Sequence, residues 1–309
     1  MKLTEGERQD MSSISKILIV LDVYNDYRDD PSHQPSEIKK SLEMISHNKD
    51  AEIFLVGCGF EEYLHDNYSN FGPEALVQRK QFCAEMESRL QVFADTLSKN
   101  GYKVDCRVHW TYPRFEQIAK EAIDLDVDLV VQHVHTQRST EQHNLSHDSW
   151  QLVKTCKKPL LLIKERPWSE HCKVMAAVDP VHAHHKPQGL DHQILGIAAS
   201  TVANIDGELH VVHAYSGTAR PFANIEEIHS NHNQAMDQLL SEYEIAEDNI
   251  HLIDETPANA ILKTQKSIAA DIVVLGALSR SRISEAIIGN TADKVLDYIN
   301  SDLYIIKPE

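Results

Sequence analysis

Apolar residues fall in short, nearly continuous runs along this chain, and the runs form two matching series. "KILIVLDVY" from Lys16 answers to "KVMAAVDPV" from Lys173, each an apolar strand ending on an aspartate, Asp22 and Asp179. "AEIFLVGCG" from Ala51 pairs with "GELHVVHAY" from Gly207, and "YKVDCRVHW" from Tyr102 with "NIHLIDETP" from Asn249. "VDLVVQHVH" from Val127 pairs with "ADIVVLGAL" from Ala270, and "KPLLLIKE" from Lys158 with "SDLYIIKPE" from Ser301.

Helical periodicity fills the intervals. Phe82, Met86, Leu90, Phe93 and Leu97 recur every three or four residues, which lays one apolar stripe along a helix, and Asn100-Gly101 closes it. "RFEQIAKEAIDL" and "ANAILKTQKSIA" predict the equivalent helices before each fourth strand. Each half therefore reads β-α-β-α-β-α-β-α-β. Val/Ile/Leu strands that alternate with helices imply a parallel sheet covered on both faces, with ligands beyond the carboxyl ends of the strands. The fold class is α/β, two tandem doubly wound, Rossmann-like domains with a five-stranded parallel sheet each. Residues 1–13 read as a flexible leader, 14–166 as the first domain and 167–309 as the second. The short connection "ERPWSEH" predicts that the halves pack as an internal pseudo-dimer.

Charge narrows the partners. A formal net charge of −17 with a pI near 5.5 opposes nucleic-acid phosphates and anionic lipid head groups. No apolar run reaches the roughly 18 residues of a transmembrane helix, and the polar start "MKLTEGERQDMSSISK" lacks a signal peptide's apolar core. The five cysteines are scattered without a CxxC pair, as expected of reduced thiols in a cytoplasm.

The stretch "IVVLGALSRSRISEAIIGNTADKVL" from Ile272 carries the most chemistry: a buried strand, a glycine, a polar loop, a second glycine and a helix. Backbone N–H groups approach phosphate oxygens most closely where no Cβ intervenes, and a helix N-terminus adds unpaired donors and a positive dipole end. Gly276, Ser279, Gly289, Asn290 and Thr291 are the candidate anion-binding residues, and Arg280 and Arg282 add charge. The competing reading has Gly276 permitting a tight turn and Asn290 or Thr291 capping the helix.

Two such domains in succession, with strand-terminal Asp179 and Gly276-x-x-Ser279 followed by Gly289-Asn290-Thr291, resemble the universal stress protein family. The layout looks most like its tandem E-type bacterial members. The resemblance implies an adenine-nucleotide alpha-hydrolase-like fold and an ATP or AMP site in the second domain, with Val178 and Asp179 beside the adenine or ribose. It also implies a cytoplasmic role in stress protection through binding of a small molecule and of protein partners, with a homo-oligomer left open. Ser279 stands where the family pattern has glycine, and Asn290 where it has Ser or Thr. The corresponding first-half loop, "HTQRSTEQHNLSHDSW", has no glycine, so equivalent sites in both halves are not expected.

Histidine is the one unusual count, at 18. His133 and His135 lie at the end of the fourth strand, where a period of two puts both on one side, as a zinc pair requires. His143 and His147 are candidate third ligands, and His182, His184 and His185 form a second cluster. "AIDLDVDLV" lacks a calcium loop's glycine and glutamate and reads as a helix end leading into a strand. No G-x-S-x-G, H-E-x-x-H or Gly-Lys-Ser/Thr motif is present, so no catalytic residue is assigned, and the activity envisaged is at most weak ATP hydrolysis. Three readings stand: a stress-response binding protein with an adenine nucleotide in its second domain, a module for an elongated apolar or lipid-like ligand, and a zinc-binding protein.

Overall fold

The structure, a computed structural model, describes residues 14–24, 34–60, 72–134, 146–181, 189–216, 224–277 and 290–307. The described residues group into two compact units, 14–134 with 146–165, and 166–307. The first runs β1 (Lys16–Leu21), α1 (Ser36–Met44), β2 (Glu52–Gly59), α2 (Pro73–Lys99), β3 (Lys103–Trp110), α3 (Arg114–Asp124), β4 (Leu129–His133), α4 (His147–Thr155) and β5 (Leu160–Ile163). The second runs β6 (Lys173–Ala177), α5 (Leu190–Ile205), β7 (Glu208–Tyr215), α6 (Ile225–Leu240), β8 (Ile250–Asp254), α7 (Pro257–Ile268), β9 (Ile272–Gly276), α8 (Asn290–Tyr298) and β10 (Asp302–Ile306). A short 3-10 turn, Glu247–Asn249, leads into β8.

Within each unit five parallel strands stand in the doubly wound order, β3-β2-β1-β4-β5 in the first and β8-β7-β6-β9-β10 in the second. The chain winds outward in one direction from β1 or β6, then crosses back to the other side. The β1/β4 and β6/β9 pairs are therefore the topological switch points, where such sheets open a crevice at their carboxyl ends. Helices on both faces explain why the central strands are apolar throughout: Ile17, Leu18 and Ile19 in β1 and Ile272, Val273 and Val274 in β9 are fully buried.

The long helix α2 buries Met86, Leu90, Phe93 and Leu97 of the predicted stripe and leaves Phe82 half-buried, and Gly101 follows the helix in the left-handed region (φ 93°) that glycine tolerates. The two glycines of β2 make room for this packing. A Cβ at Gly57 would lie 2.1 Å from Val23 Cγ1, and one at Gly59 would lie 2.6 Å from the Phe82 ring.

Both units start their central strands with the same device. Asp128 accepts hydrogen bonds from Ser15 N (2.8 Å), Ser15 Oγ (2.8 Å) and Lys16 N (2.9 Å). Asp271 accepts from Ser169 N (3.1 Å), the Ser169 hydroxyl and Lys173 N (3.0 Å), and from Arg166 at 2.9 Å. Each aspartate opens the fourth strand and ties down the chain that enters the first. Burial works against the Asp271 carboxylate, yet its hydrogen bonds from Ser169, Lys173 and Arg166 hold its pKa below the ordinary value. Among the described residues no helix is long and apolar enough to cross a membrane.

Candidate functional site

The second unit's switch point is flanked by the predicted residues Val178, Asp179 and Gly276. Val178 follows β6 and extends its ladder by donating to Val212 O at 3.0 Å. Asp179 comes next, and its backbone N–H is held by Asp191 Oδ1 at 3.0 Å. Asp191 lies in the first turn of α5, only 3% exposed, so it locks the turn after β6 onto the start of that helix. This locking residue carries no motif of its own in the sequence.

Gly276 ends β9 opposite Ile306, and the ladder continues with Ala277 N donating to Ile306 O at 2.8 Å. A Cβ at Gly276 would lie 2.8 Å from Leu190 Cδ2, so the missing side chain is the space that α5 occupies. Gly276 lies within the strand and not in a tight turn, and helix packing accounts for it. The helix predicted after the loop is α8, with Asn290 and Thr291 in its first turn, where backbone N–H groups lack intrahelical partners. Ser279, Arg280, Arg282 and Gly289 lie outside the described residues, as do His182, His184 and His185.

Beside Val178 stands a pair of histidines that motif reading did not single out. His213, near the end of β7 and 2% exposed, places Nδ1 3.1 Å from Val178 O. Its Nε2 is 2.7 Å from Nδ1 of His232 on α6. Burial depresses the pKa of both imidazoles. For His213 the Val178 carbonyl and Asp179 oppose that shift, and for His232 Asp179 does. Tyr215 lies against the pair, its ring centroid 5.7 Å from that of His232 and 5.4 Å from that of His229. His229 and His232, three residues apart, share one face of α6, a spacing that could have drawn attention to this helix.

The first unit's switch point is built differently. His133 ends β4 opposite Ile163, and Val134 N donates to Ile163 O at 2.8 Å, so this histidine occupies the register position that Gly276 holds in the second unit. His135 and His143 lie outside the described residues, and His147 begins α4. Among the described residues no group of three or more His, Cys, Asp or Glu side chains is placed to hold a metal ion. Asp22 accepts from Tyr24 N at 3.0 Å and so shapes the turn after β1. Aromatic side chains then pack over the carboxyl ends of β1 to β3. The Tyr24 hydroxyl donates to Phe60 O (2.8 Å) and accepts from Phe60 N (3.0 Å). Phe82 packs edge-on to Trp110 at 5.2 Å, and Phe60 lies 5.8 Å from Trp110 and 5.4 Å from Tyr112. An open groove of about 600 Å³ runs past the edge strand β3, between Arg79 and Cys83 of α2 and Val108, His109 and Trp110, away from the β1/β4 crevice.

Comparison with known proteins agrees with this architecture. Residues 173–307 match the model of the Universal stress protein family. Universal stress protein E of Escherichia coli K12 is 29% identical over 220 residues, spanning 68% of this chain and 70% of that one. The Universal stress protein E homolog of Haemophilus influenzae is 24% identical over 246 residues, spanning 76% and 80%. Among solved structures, a protein of Pseudomonas aeruginosa UCBPP-PA14 described as a universal stress protein superposes with a TM-score of 0.73 at 22% identity, covering 97% of this chain and 95% of that one. A universal stress protein of Archaeoglobus fulgidus gives 0.65 at 18% identity, covering 95% and 98%.

Proposed function

We propose that the chain is a tandem member of the universal stress protein family, whose model matches residues 173–307, and that it is a cytoplasmic stress-response protein that works by binding and holds an adenine nucleotide, ATP or AMP, in its second domain. One observation carries the reading. Val178-Asp179 follow β6 and Gly276 ends the adjacent β9, on the two sides of a switch point, and α8 begins after β9. A doubly wound sheet binds ligands in such a crevice, and a helix N-terminus there suits a phosphate. Asp179 offers a carboxylate for the ligand's uncharged part. Ser279, Gly289, Asn290 and Thr291 belong to the loop and helix start that would cradle the anion.

The first domain takes a different part. Its aromatic packing over β1 to β3, and His133 where the second domain has Gly276, support one nucleotide per chain and a first domain that serves architecture or protein contact.

The test is direct. Protein purified gently and then denatured is expected to release close to one adenine nucleotide per chain, identified by mass spectrometry. Emptied protein is expected to take ATP back in a calorimetric titration, and Asp179→Ala to weaken that binding without lowering the melting temperature. A lipid-like compound or zinc released in stoichiometric amount, or emptied protein that ignores both ATP and AMP, would overturn the reading.

A further inference from the structure

On the nucleotide reading of this site, we infer that His213 and His232 form an imidazole pair of fixed polarity, which makes His232 a specificity-determining residue that selects ligands offering hydrogen-bond donors at the Asp179 end of the crevice.

The polarity follows from the contacts. A peptide carbonyl only accepts, so His213 Nδ1, 3.1 Å from Val178 O, carries its proton. Buried and neutral, His213 then has only a lone pair on Nε2. His232 Nδ1, 2.7 Å away, must therefore be the donor. The geometry suits that bond. The ring centroids are 5.0 Å apart and the planes differ by 23°. With nitrogens 2.7 Å apart, the rings meet edge to edge in nearly one plane, and the N–H points along the lone pair. A neutral His232 is thus left with Nε2 as an acceptor.

The neighbouring groups make that acceptor informative. Asp179 and Asp191 bear on the pair from the start of the turn after β6 and from α5, and His229 bears on His232 from its own helix. Tyr215 of β7 closes one side. The Asp179 N–H is already taken by Asp191, so this end of the crevice presents acceptors. The α8 end presents N–H donors. A ligand that fits both ends is an anion joined to a group rich in donors, such as the vicinal hydroxyls of a ribose. His213 is the positioning residue, because it fixes which nitrogen of His232 carries the proton.

Two measurements test this. Long-range ¹H–¹⁵N spectra of the intact protein report imidazole tautomers without any ligand. Both residues are expected to carry the proton on Nδ1, and an Nε2–H tautomer for His232 would overturn the inference by itself. Calorimetry then compares ATP with 2′,3′-dideoxy-ATP at about pH 7.5, where imidazoles are neutral. The wild type is expected to favour ATP by about tenfold, one net hydrogen bond. His232→Phe is expected to abolish the preference for ATP over the dideoxy compound, whatever it does to the affinity common to both. Equal affinities in the wild type, or undiminished preference in the variant, would overturn this inference and leave the nucleotide reading standing. Binding of neither compound would sink both.

Discussion

The Cβ that Gly276 lacks would lie 2.8 Å from Cδ2 of Leu190, so the last residue of β9 and the first residue of α5 compete for one volume. Leu190 is buried and has little room to withdraw. Gly276→Val is therefore expected to destabilise the protein by about 1–3 kcal/mol through overpacking, whatever it does to a ligand. Leu190→Ala opens the same space at its own cost and is expected to absorb part of the valine's. A double-mutant cycle of urea midpoints checks this, and strictly additive losses would show that the two side chains do not meet. For ligand studies Gly276→Ala is the gentler change.

Asp191 makes the matching contact on the other strand. Its Oδ1 holds the Asp179 N–H at 3.0 Å from a buried position in the first turn of α5. Asp191→Ala leaves that N–H without its acceptor, at an expected cost of about 1–3 kcal/mol. Because Asp179 also loses its fixed place, ATP affinity is expected to fall even where the variant is fully folded. Melting curves alongside a titration at low temperature separate the two effects. Full affinity in a folded variant would remove Asp191 from the site's construction.

The strands were legible because parallel strands covered on both faces must be apolar at nearly every position, and their doubled order was legible as repetition. The reason for Gly276 was not. A glycine after a buried strand looks the same whether its missing Cβ makes room for a phosphate, a turn or Leu190, and the residue that decides is far off in the chain. The aromatic set Tyr24, Phe60, Phe82 and Trp110 was hidden for the same cause, since periodicity gives a residue's face and not its neighbours across the sheet. Asp128 read as part of a helix-to-strand passage, yet it also holds Ser15, 113 residues away. His213 and His232 needed the distance between β7 and α6, which no motif encodes. Ser279, Gly289 and His135 lie outside the described residues, so their expected roles rest on the family resemblance and on spacing.

Asp271 offers an acid-stability test. Its hydrogen bonds from Ser169, Lys173 and Arg166 outweigh burial and hold the folded carboxyl below its ordinary value. A carboxyl depressed in the folded state contributes stability that is present above the unfolded pKa and lost as pH falls through the folded one. Asp271→Asn keeps the shape, gives up the charge-assisted bonds, and is expected to cost about 1–3 kcal/mol near neutral pH. The gap between variant and wild type should narrow below about pH 4, as the wild-type carboxyl protonates. Urea midpoints at several acid pH values check it, and a gap that stays constant would show that the charge contributes nothing.

The imidazoles predict the opposite end of the same profile. Burial depresses the pKa of His213 and His232 below 6.5 in the folded protein, while the unfolded chain keeps the ordinary value. Below 6.5 the unfolded state therefore binds more protons, so the stability these groups contribute is complete above that pH and is lost as the solution is acidified. His210 and His251, which meet near the start of β8 with nitrogens 3.2 Å apart, are depressed by burial as well and add to the slope. His213→Asn removes one titrating group while keeping an N–H donor within reach of Val178 O. Wild-type urea midpoints are expected to fall between about pH 7 and pH 5, and those of His213→Asn to fall less steeply. Parallel slopes would mean that His213 does not titrate across this interval, and the acid sensitivity would then belong to His232 and the His210–His251 pair.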